Sequence, residues 1–297
     1  MNELNGRLSE IVERLENLSA LDAPSRVLES VAQRLTKRDD IKRVLSGTPI
    51  GHRLHPLLTD LPIGCWTAAS LVDACAWRSG RHAARRLVAF GILTSLPTVA
   101  TGMSDWNDTY GGTRRLGVVH AAANGTALAF QIASWRARRR GHHVRGALLG
   151  LAGLGAMTAG GYLGGHLVYV KRAGVNAEVP ALTDDAWHTV CRVDELVDGE
   201  PIGATVDGVR LALVRHRGFV YALAAVCSHA GGPLDRGMVR GETLVCPWHG
   251  SAFFLPDGAV ERGPATTPVP VYETRVRGDL VEVRARTHEV VVAHALV

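Results

Sequence analysis

The sequence predicts an all-α four-helix transmembrane bundle followed by a small all-β domain with a metal centre. Four long apolar runs lie between residues 57 and 170, and short alternating apolar runs replace them from Trp187 onward. Two of the five Cys in the chain stand close to His in Gly- and Pro-rich segments between those short runs. Together the three observations predict a chain of two unlike domains.

Length, charge and cysteine count limit the number of domains and the classes of protein to which the chain can belong. A chain of 297 residues favours about two domains. The formal charge of +5 comes largely from Arg beside the apolar runs, which indicates membrane topology. No nucleic-acid motif stands in a suitable context, so we expect no nucleic-acid partner. Five Cys is an odd number, and the N-terminus does not resemble an export signal, so a disulfide framework is not expected.

Residues 1–50 are predicted to form a polar, amphipathic helical region. Apolar side chains recur there at steps of three and four, which draws one stripe along a helix: Leu4, Leu8, Ile11, Leu15 and Leu18. Pro24 stands near the start of a second helix, where a missing N–H costs little. The pattern fits a helical hairpin packed on its own protein, or an interfacial helix on a membrane.

Residues 51–175 are predicted to form the transmembrane domain, with lipid as a partner. About 20 helical residues span the roughly 30 Å of a bilayer core. A soluble four-helix bundle is the alternative, but its helices should show a polar face. The runs that reach or approach the required length, and hardly show such a face, are Leu57–Trp77, Leu87–Ser104, Leu116–Trp135 and Gly146–Val170.

Small and aromatic residues support the membrane interpretation. Four small residues in the last run stand four apart, a stripe that lets helices approach closely: Ala152, Ala156, Gly160 and Gly164. Aromatic residues lie near several run ends, as they do at membrane interfaces. These are Trp66, Trp77, Trp106, Trp135 and Tyr169.

Charge leaves the sidedness of the bundle open. Four helices return the chain to its starting side, so residues 1–50 share a side with everything after Lys171. The two short loops of the other side carry Arg78, Arg81, Arg85, Arg86, Arg136, Arg138, Arg139, Arg140 and Arg145. The positive-inside rule would place those loops in the cytoplasm. The first side, however, also carries Lys42, Arg43, Arg53, Lys171 and Arg172 near helix ends.

Ionisable residues cluster at one level of the predicted bundle. With antiparallel neighbours, the level shared by Asp60 and Asp105 also holds His52, His55, His120 and His166. Ionisable groups near membrane helices indicate a functional site, because burying them is costly. The alternatives are a structural interfacial role, a bis-His haem or metal site, and a quinone pocket. His120 and Asn124, one turn apart, should face the same way.

Two segments of this region resemble a known family. "GHRLHPLLTDLPIGCWTAASLVDA" and "GGYLGGHLVYV" resemble an uncharacterised family of bacterial four-helix membrane proteins, over roughly residues 45–175. The resemblance implies a multi-pass protein of the bacterial cell membrane. It implies no chemistry.

Residues 185–287 are predicted to form the all-β domain, with residues 288–297 as a tail. Its short runs, such as "VRLALVRH" and "FVYALAAV", are bounded by Gly, Asp or Pro, as strands of a small antiparallel domain should be. The half-sites Cys227-Ser-His229 and Cys246-Pro-Trp-His249 fall at turns between strands. On donor type alone, two Cys and two His fit zinc or a two-iron cluster.

The spacing and surroundings of the half-sites resemble the Rieske [2Fe–2S] family. Sixteen residues separate the pairs, "GGPL" and "HGSAF" follow them, and "GPATTPVPVYE" is similar to the family's proline-containing covering loop. Zinc ribbons usually read Cys-x-x-Cys instead. The resemblance implies that Cys227 and Cys246 hold an inner iron, and that His229 and His249 hold an outer iron near the surface. It implies single-electron transfer.

Three positions near the pairs are expected to tune the cluster: Trp248, Ser251 and Phe253. Quinol-oxidising Rieske proteins tie their cluster loops with a disulfide, and the corresponding positions here are Gly232 and Trp248. That departure places the domain nearer the ferredoxin and oxygenase-linked branch. Ser251 keeps a hydroxyl that donates to cluster sulfur in high-potential members, whereas Phe253 replaces a Tyr that does the same. The other cysteines are expected to pack as small apolar groups: Cys65, Cys75 and Cys191.

The expected function is that of a membrane-anchored Rieske protein that carries single electrons between unidentified proteins or quinone. The alternatives are a ferredoxin component serving an oxygenase, or a membrane redox sensor. A complete oxygenase would need a mononuclear iron held by two His and a carboxylate in a further large domain. Only eleven residues follow Arg286, with His288 and His294 among them, so no self-contained substrate-converting site is expected.

Overall fold

The computed structural model describes residues 2–76, 78–183 and 185–286. Trp77, the tail and its two His lie outside the described residues, as does the side chain of Leu4. The chain divides into two compact units. Unit 1 comprises Met1–Ser46 and Arg53–Gly174, and unit 2 comprises Gly47–His52 and Val175–Val297. The inclusion of Gly47–His52 in the second unit was not predicted.

Unit 1 begins with three helices that pack on their own protein. They are α1 (Asn2–Asn17), α2 (Asp22–Leu35) and α3 (Asp39–Leu45). Val12 of α1 is buried against Leu116 and Leu163. Helix α1 therefore agrees with the interpretation of a helical hairpin packed on its own protein, and not with that of an interfacial helix on a membrane. The predicted apolar stripe of α1 was displaced by one residue at Ile11, which is 52% exposed, whereas the next residue, Val12, faces the core.

Four long helices complete unit 1: α4 (Leu54–Cys75), α5 (Arg81–Trp106), α6 (Gly111–Arg139) and α7 (His143–Tyr169). Among the described residues, α5, α6 and α7 are long and apolar enough to cross a membrane by length and composition. Helix α4 has 22 residues, enough to span, but its apolar stretch contains Asp60 and Asp73. Each helix starts before the corresponding apolar run, since hydropathy alone does not register polar first turns.

Helices α6 and α7 meet along a seam in which polar side chains donate to glycine carbonyls. His120 Nδ1 lies 2.8 Å from the Gly160 oxygen, and Gln131 Nε2 lies 3.1 Å from the Gly150 oxygen. Ser134 Oγ donates to the Gly146 oxygen at 2.6 Å. Inside a bilayer these contacts satisfy polar groups that lipid cannot satisfy.

The small-residue stripe on α7 differs from the predicted one. Gly160 and Gly164 face α6 as expected, but Ala152 is exposed. The stripe continues through Gly146, Gly150 and Gly153 instead. Steps of exactly four residues drift around a 3.6-residue helix by about 40° each, whereas mixed steps of three and four stay on one face.

Ion pairs involve some of the charges that the sequence analysis counted toward sidedness, both in loops and near helix ends. Arg138 was assigned to a loop, but α6 continues to Arg139, and Arg138 is buried with its Nη1 2.8 Å from Asp73 Oδ1. Lys42 Nζ lies 2.7 Å from Asp108 Oδ2. Loop charge counts therefore include residues that are paired inside the protein, and they give a weaker guide to sidedness.

The described residues of unit 2 form ten strands in two antiparallel sheets. The six-stranded sheet has the order β1-β10-β9-β4-β3-β2, and the four-stranded sheet has the order β5-β6-β7-β8. The strands are β1 (His188–Arg192), β2 (Pro201–Val206), β3 (Val209–His216), β4 (Phe219–Ala224), β5 (Met238–Arg240), β6 (Thr243–Val245), β7 (Ala252–Phe254), β8 (Val260–Arg262), β9 (Val271–Arg277) and β10 (Leu280–Ala285). The predicted all-β domain is confirmed.

Strand β3 is buried on both faces, which explains its continuous apolar run. Leu211 and Leu213 belong to one core cluster, while Ala212 and Val214 belong to the other. Successive strand residues point to opposite faces, so a run without polar interruption requires cover on both. The second of these clusters also contains Cys227 and Cys246, so the metal-site loops start from the core.

Candidate metal centre

The two cluster loops close around their cysteines with the same backbone pattern. In the loop between β4 and β5, the Cys227 N–H donates to Gly232 O at 2.9 Å, and the Gly231 N–H donates to Cys227 O at 2.8 Å. In the loop between β6 and β7, the Cys246 N–H donates to Ser251 O at 2.8 Å, and the Gly250 N–H donates to Cys246 O at 3.1 Å.

Glycine makes this pattern possible in both loops. The residue four positions after each Cys has positive φ: 77° at Gly231 and 71° at Gly250. Other residues adopt that left-handed conformation at a cost, which explains Gly at both positions. The loops differ in where His follows, two residues after Cys227 and three after Cys246.

The loops bring like donors together. The Cys227 and Cys246 thiols lie within hydrogen-bonding reach, and both residues are almost fully buried. The His229 and His249 rings stand edge to face with centroids 4.7 Å apart. His229 is buried, while His249 is only partly buried. The donors therefore form a deep thiol pair and an imidazole pair that reaches toward the surface.

Hydrogen bonds to sulfur favour one thiolate in the thiol pair. The bond from Cys227, followed by backbone N–H groups of Trp248 and His249, lowers the pKa of Cys246 to about 6 against the opposing effect of burial. The bond to Cys246 and then burial raise the pKa of Cys227. Thiolate is the form that binds metal, and a metal that binds this pair would displace the remaining thiol proton to solvent.

The donor set fits a binuclear cluster rather than a single ion. A mononuclear zinc site collects three or four donors around one point. Here the donors are grouped by type, with the two thiols within hydrogen-bonding reach and the two imidazole rings in contact. A Rieske cluster instead takes two thiolates at one iron and two imidazoles at the other. Two pairs of like donors match that requirement.

The positions expected to tune the cluster surround the thiols. Ser251 is fully buried, and its Oγ accepts the Ala265 N–H at 3.0 Å. A hydroxyl has two acceptor sites and one proton, so this bond leaves the proton for another partner. Phe253 is also fully buried and packs in the core cluster of the two cysteines.

Gly232 and Trp248 face each other beside the thiols. A Cβ at Gly232 would lie 2.7 Å from Cys246 Sγ and 3.2 Å from Trp248 Cδ2. The positions where the resemblance expects a disulfide are thus neighbours, but neither is Cys, and all five cysteines are free. Trp248 is 54% exposed and stands edge-on to the His249 ring.

Two histidines of unit 1 share one hydrogen-bonding pattern. His55 Nδ1 lies 3.0 Å from Thr98 O, and His120 Nδ1 lies 2.8 Å from Gly160 O. A carbonyl only accepts, so Nδ1 carries a proton in both rings. Asn124 Nδ2 lies 3.3 Å from His120 Nε2, which confirms that the two side chains share a face.

The other members of the predicted histidine group have different surroundings. His166 Nε2 lies 3.8 Å from Glu16 Oε1, His52 belongs to unit 2, and Asp105 pairs with Arg53 at 2.7 Å. Asp60 is exposed. No three of these residues form a common donor group within the described part of the chain.

Comparison with known proteins identifies both parts of the chain. Residues 186–273 match the family model "Rieske [2Fe-2S] domain", and residues 51–177 match "Predicted membrane protein (DUF2231)". The anthranilate 1,2-dioxygenase ferredoxin subunit of Burkholderia cepacia is 31% identical over 97 residues, which cover 33% of this chain and 90% of that protein.

Other similar proteins match the same part of the chain. Apoptosis-inducing factor 3 of Mus musculus is 29% identical over 36% of this chain, which spans only 18% of that relative's length. Among solved structures, the ferredoxin of carbazole 1,9a-dioxygenase from Nocardioides aromaticivorans IC177 is 33% identical, with a TM-score of 0.33. That match covers 34% of this chain and 99% of the ferredoxin.

The fold, the paired donors and the sequence matches define an iron–sulfur electron-transfer domain. The chain belongs to the Rieske [2Fe-2S] domain family, and it joins that domain to a region of the predicted membrane protein family. The predicted [2Fe–2S] cofactor is thereby confirmed.

Proposed function

We propose that this chain is a membrane-anchored Rieske protein that carries single electrons between redox partners at the bacterial cell membrane. Two features of the same region support the anchor: the match to a predicted membrane protein family and three helices of sufficient length and hydropathy. The pairing of like donors in unit 2 is the observation that carries the redox part of the proposal.

The four donors have distinct roles in this proposal. Cys227 and Cys246 would hold one iron as thiolates, with backbone N–H groups of both loops stabilising their charge. His229 and His249 would hold the other iron through neutral imidazoles. Replacing two thiolates by imidazoles leaves the centre less negative, which raises its reduction potential. When bound, the cluster accepts one electron and releases one electron.

The surface around His249 is the proposed exit for that electron. His249 is partly exposed, and the neighbouring Trp248 presents more than half of its side chain to the surroundings. A partner that docks over these residues would reach the imidazole pair without crossing the protein core. The buried thiol side, by contrast, is covered by Phe253 and its apolar neighbours.

A ferredoxin role toward an oxygenase is the second candidate. Its support is that the relatives covered almost entirely by this chain are ferredoxin components of dioxygenase systems. A membrane redox sensor is the remaining alternative. Reduction of the cluster by membrane quinol in the steady state, followed optically, favours a membrane carrier. Reduction by a ferredoxin reductase alone favours the ferredoxin role, and a cluster that holds its electron without turnover favours a sensor.

The central test is an absorption and EPR spectrum of the purified full-length protein. We expect the spectrum of a reduced [2Fe–2S] cluster with imidazole ligands, and two irons and two acid-labile sulfides per chain. Stoichiometric zinc in a colourless protein contradicts the proposal.

We also propose that His55 and His120 form part of a second redox or quinone station. Their Nδ1–H groups bond backbone carbonyls, an arrangement that orients imidazoles whose Nε2 binds a metal or accepts a proton. Full-length Cys246→Ala removes the cluster absorbance, so a b-type haem spectrum would then be visible. Loss of that spectrum in a further His120→Ala variant supports haem. Absence of haem after expression with ample supply leaves quinone or a structural role.

A further inference from the structure

The covering loop between β8 and β9 reaches the centre through Ser251. Ala265 in this loop is fully buried and donates its N–H to Ser251 Oγ at 3.0 Å. This bond occupies one acceptor site of the hydroxyl and orients its proton. The position of the Ala265 backbone therefore controls where the Ser251 hydroxyl points.

A segment that precedes the membrane helices holds this loop in place. Thr48 Oγ1 donates to Ala265 O at 3.1 Å, although the two residues are 217 positions apart, and Thr48 is buried. Thr48 begins a short 3₁₀ turn flanked by Gly47 and Gly51, which have φ of 78° and 67°. Those left-handed glycines bend the chain into the turn that presents Thr48 to the loop.

A second segment, after the last membrane helix, grips the same loop. Asn176 Nδ2 lies 3.3 Å from Thr266 Oγ1 and 3.4 Å from Thr267 Oγ1. The Ala177 N–H donates to Ser228 O at 2.8 Å, and Ser228 Oγ donates to Thr267 O at 2.6 Å. This segment thus links the covering loop to the cluster loop between Cys227 and His229.

We infer that Thr48 is a positioning residue that sets the reduction potential of the cluster through Ala265 and Ser251. Thr48 and Asn176 both lie outside residues 186–273, the span that matches the Rieske family. In this chain the residues flanking the membrane helices therefore complete the Rieske unit. The inference rests on the proposed ligands and on donation from Ser251 to cluster sulfur, which stabilises the reduced form.

The test is Thr48→Val in the full-length protein, which removes the hydroxyl and nearly keeps the volume. We expect a full cluster by iron content and EPR, and a reduction equilibrium constant lowered about three- to tenfold, equivalent to about 30–60 mV for one electron. Thr48→Ser keeps the hydroxyl and should keep the wild-type potential. Thr126→Val is the matched control, because Thr126 is exposed and its hydroxyl bonds Ala122 O in its own helix.

A double-mutant cycle tests the route through Ser251. In a Ser251→Ala background the Thr48 hydroxyl has no serine to position, so Thr48→Val should shift the potential little or not at all. An equal shift in both backgrounds overturns the inference, as does an unmoved potential in Thr48→Val with a full cluster.

Should Thr48→Val fail to load the cluster, Asn176→Ala loosens the same loop and should lower the potential. An unmoved potential in Asn176→Ala also overturns the inference. A wild-type protein without a [2Fe–2S] signal instead contradicts the proposed function.

Discussion

The α6–α7 seam of unit 1 and the thiol pair of unit 2 use hydrogen bonds in opposite senses. In unit 1, side chains of α6 donate to backbone carbonyls of α7, as Gln131 does to Gly150. In unit 2, backbone N–H groups donate to side-chain sulfur, as Trp248 and His249 do to Cys246. Donation into a carbonyl satisfies a neutral side chain, whereas donation into sulfur stabilises a negative one. The direction of the bonds thus separates polar groups that hold helices together from groups prepared for a cation.

The histidines fall on both sides of this comparison. His55 and His120 use Nδ1–H to satisfy backbone carbonyls, as Gln131 and Ser134 do. His229 and His249 are brought together by two loops that converge on the thiol pair. The edge-to-face contact of the two rings, with centroids 4.7 Å apart, distinguishes this pair from His55 and His120, each of which bonds a backbone carbonyl.

The largest expected effect is loss of the whole cluster from unit 2. Cys246→Ala removes the thiolate stabilised by the loop amides, and His229→Ala removes an imidazole from the outer pair. Each should abolish both irons and both labile sulfides, because the cluster clamps two loops together. Iron and sulfide analysis with EPR measures the result.

Cys191→Ala is the matched control for that loss. Cys191 is buried in the other core cluster of unit 2, so its variant should keep two irons per chain. A Cys246→Ala protein that retains a complete cluster, or a Cys191→Ala protein that loses it while folded, contradicts the ligand assignment.

The next largest effect concerns the buried ion pair of unit 1. Arg138→Met leaves the Asp73 carboxylate without its partner, and breaking one side of a buried pair costs about 3–5 kcal/mol. Unfolding in detergent should show the loss. Asp73→Asn added to Arg138→Met should restore part of the stability, since it removes the stranded charge. Arg139→Met, at an exposed position, should change stability by less than about 1 kcal/mol. Equal losses of stability in Arg138→Met and Arg139→Met would show that the Arg138–Asp73 pair does not stabilise the protein.

The sequence predicted short-range features of both units better than long-range ones. Each half-site lies within four consecutive residues, so its spacing and donor types identify it from the sequence without knowledge of the fold. The α1 stripe was misplaced because periodicity locates a helical face only to within a residue, and Val12 rather than Ile11 meets α6. Arg138 resembled a loop residue because its partner, Asp73, is 65 positions away.

Residues that act across long separations left no local signal. Thr48 stands in an unremarkable turn sequence, and only the fold brings it to Ala265. Asn176 likewise lies in a segment without periodicity. Sequence patterns report what a residue does within its own element. Contacts between distant segments depend on the completed fold.

A smaller effect is expected from the glycine seam between α6 and α7. A Cβ at Gly153 would lie 2.9 Å from Gln131 Nε2 and 3.2 Å from Ala127 O, so Gly153→Ala must displace the Gln131 amide from its bond to Gly150 O and crowd the Ala127 carbonyl. Overpacking of this kind costs about 1–3 kcal/mol. Gly155→Ala, on the same helix with no atom within 4 Å of its new Cβ, should be neutral or stabilising. Unfolding of both variants in detergent makes the comparison, and equal stability of the two would show that the seam tolerates the added methyl group.

The smallest effect expected is a shift in potential at Ser251 and Phe253, and it tests whether donation toward sulfur tunes the cluster. Ser251→Ala removes the buried hydroxyl that accepts from Ala265, so the reduced form loses a donor and the potential should fall. Phe253→Tyr adds a hydroxyl in the core cluster of both cysteines, and we expect the potential to rise. A charge-assisted hydrogen bond contributes about 1.5–3 kcal/mol, but only its difference between redox states counts. At about 59 mV per tenfold change for one electron, each shift should be tens of millivolts.

Voltammetry of the full-length protein measures both shifts in potential, with Phe254→Tyr as the control because Phe254 is partly exposed on the same strand. A Phe253→Tyr protein with a full cluster and an unmoved or lower potential would show that the hydroxyl does not reach the sulfurs.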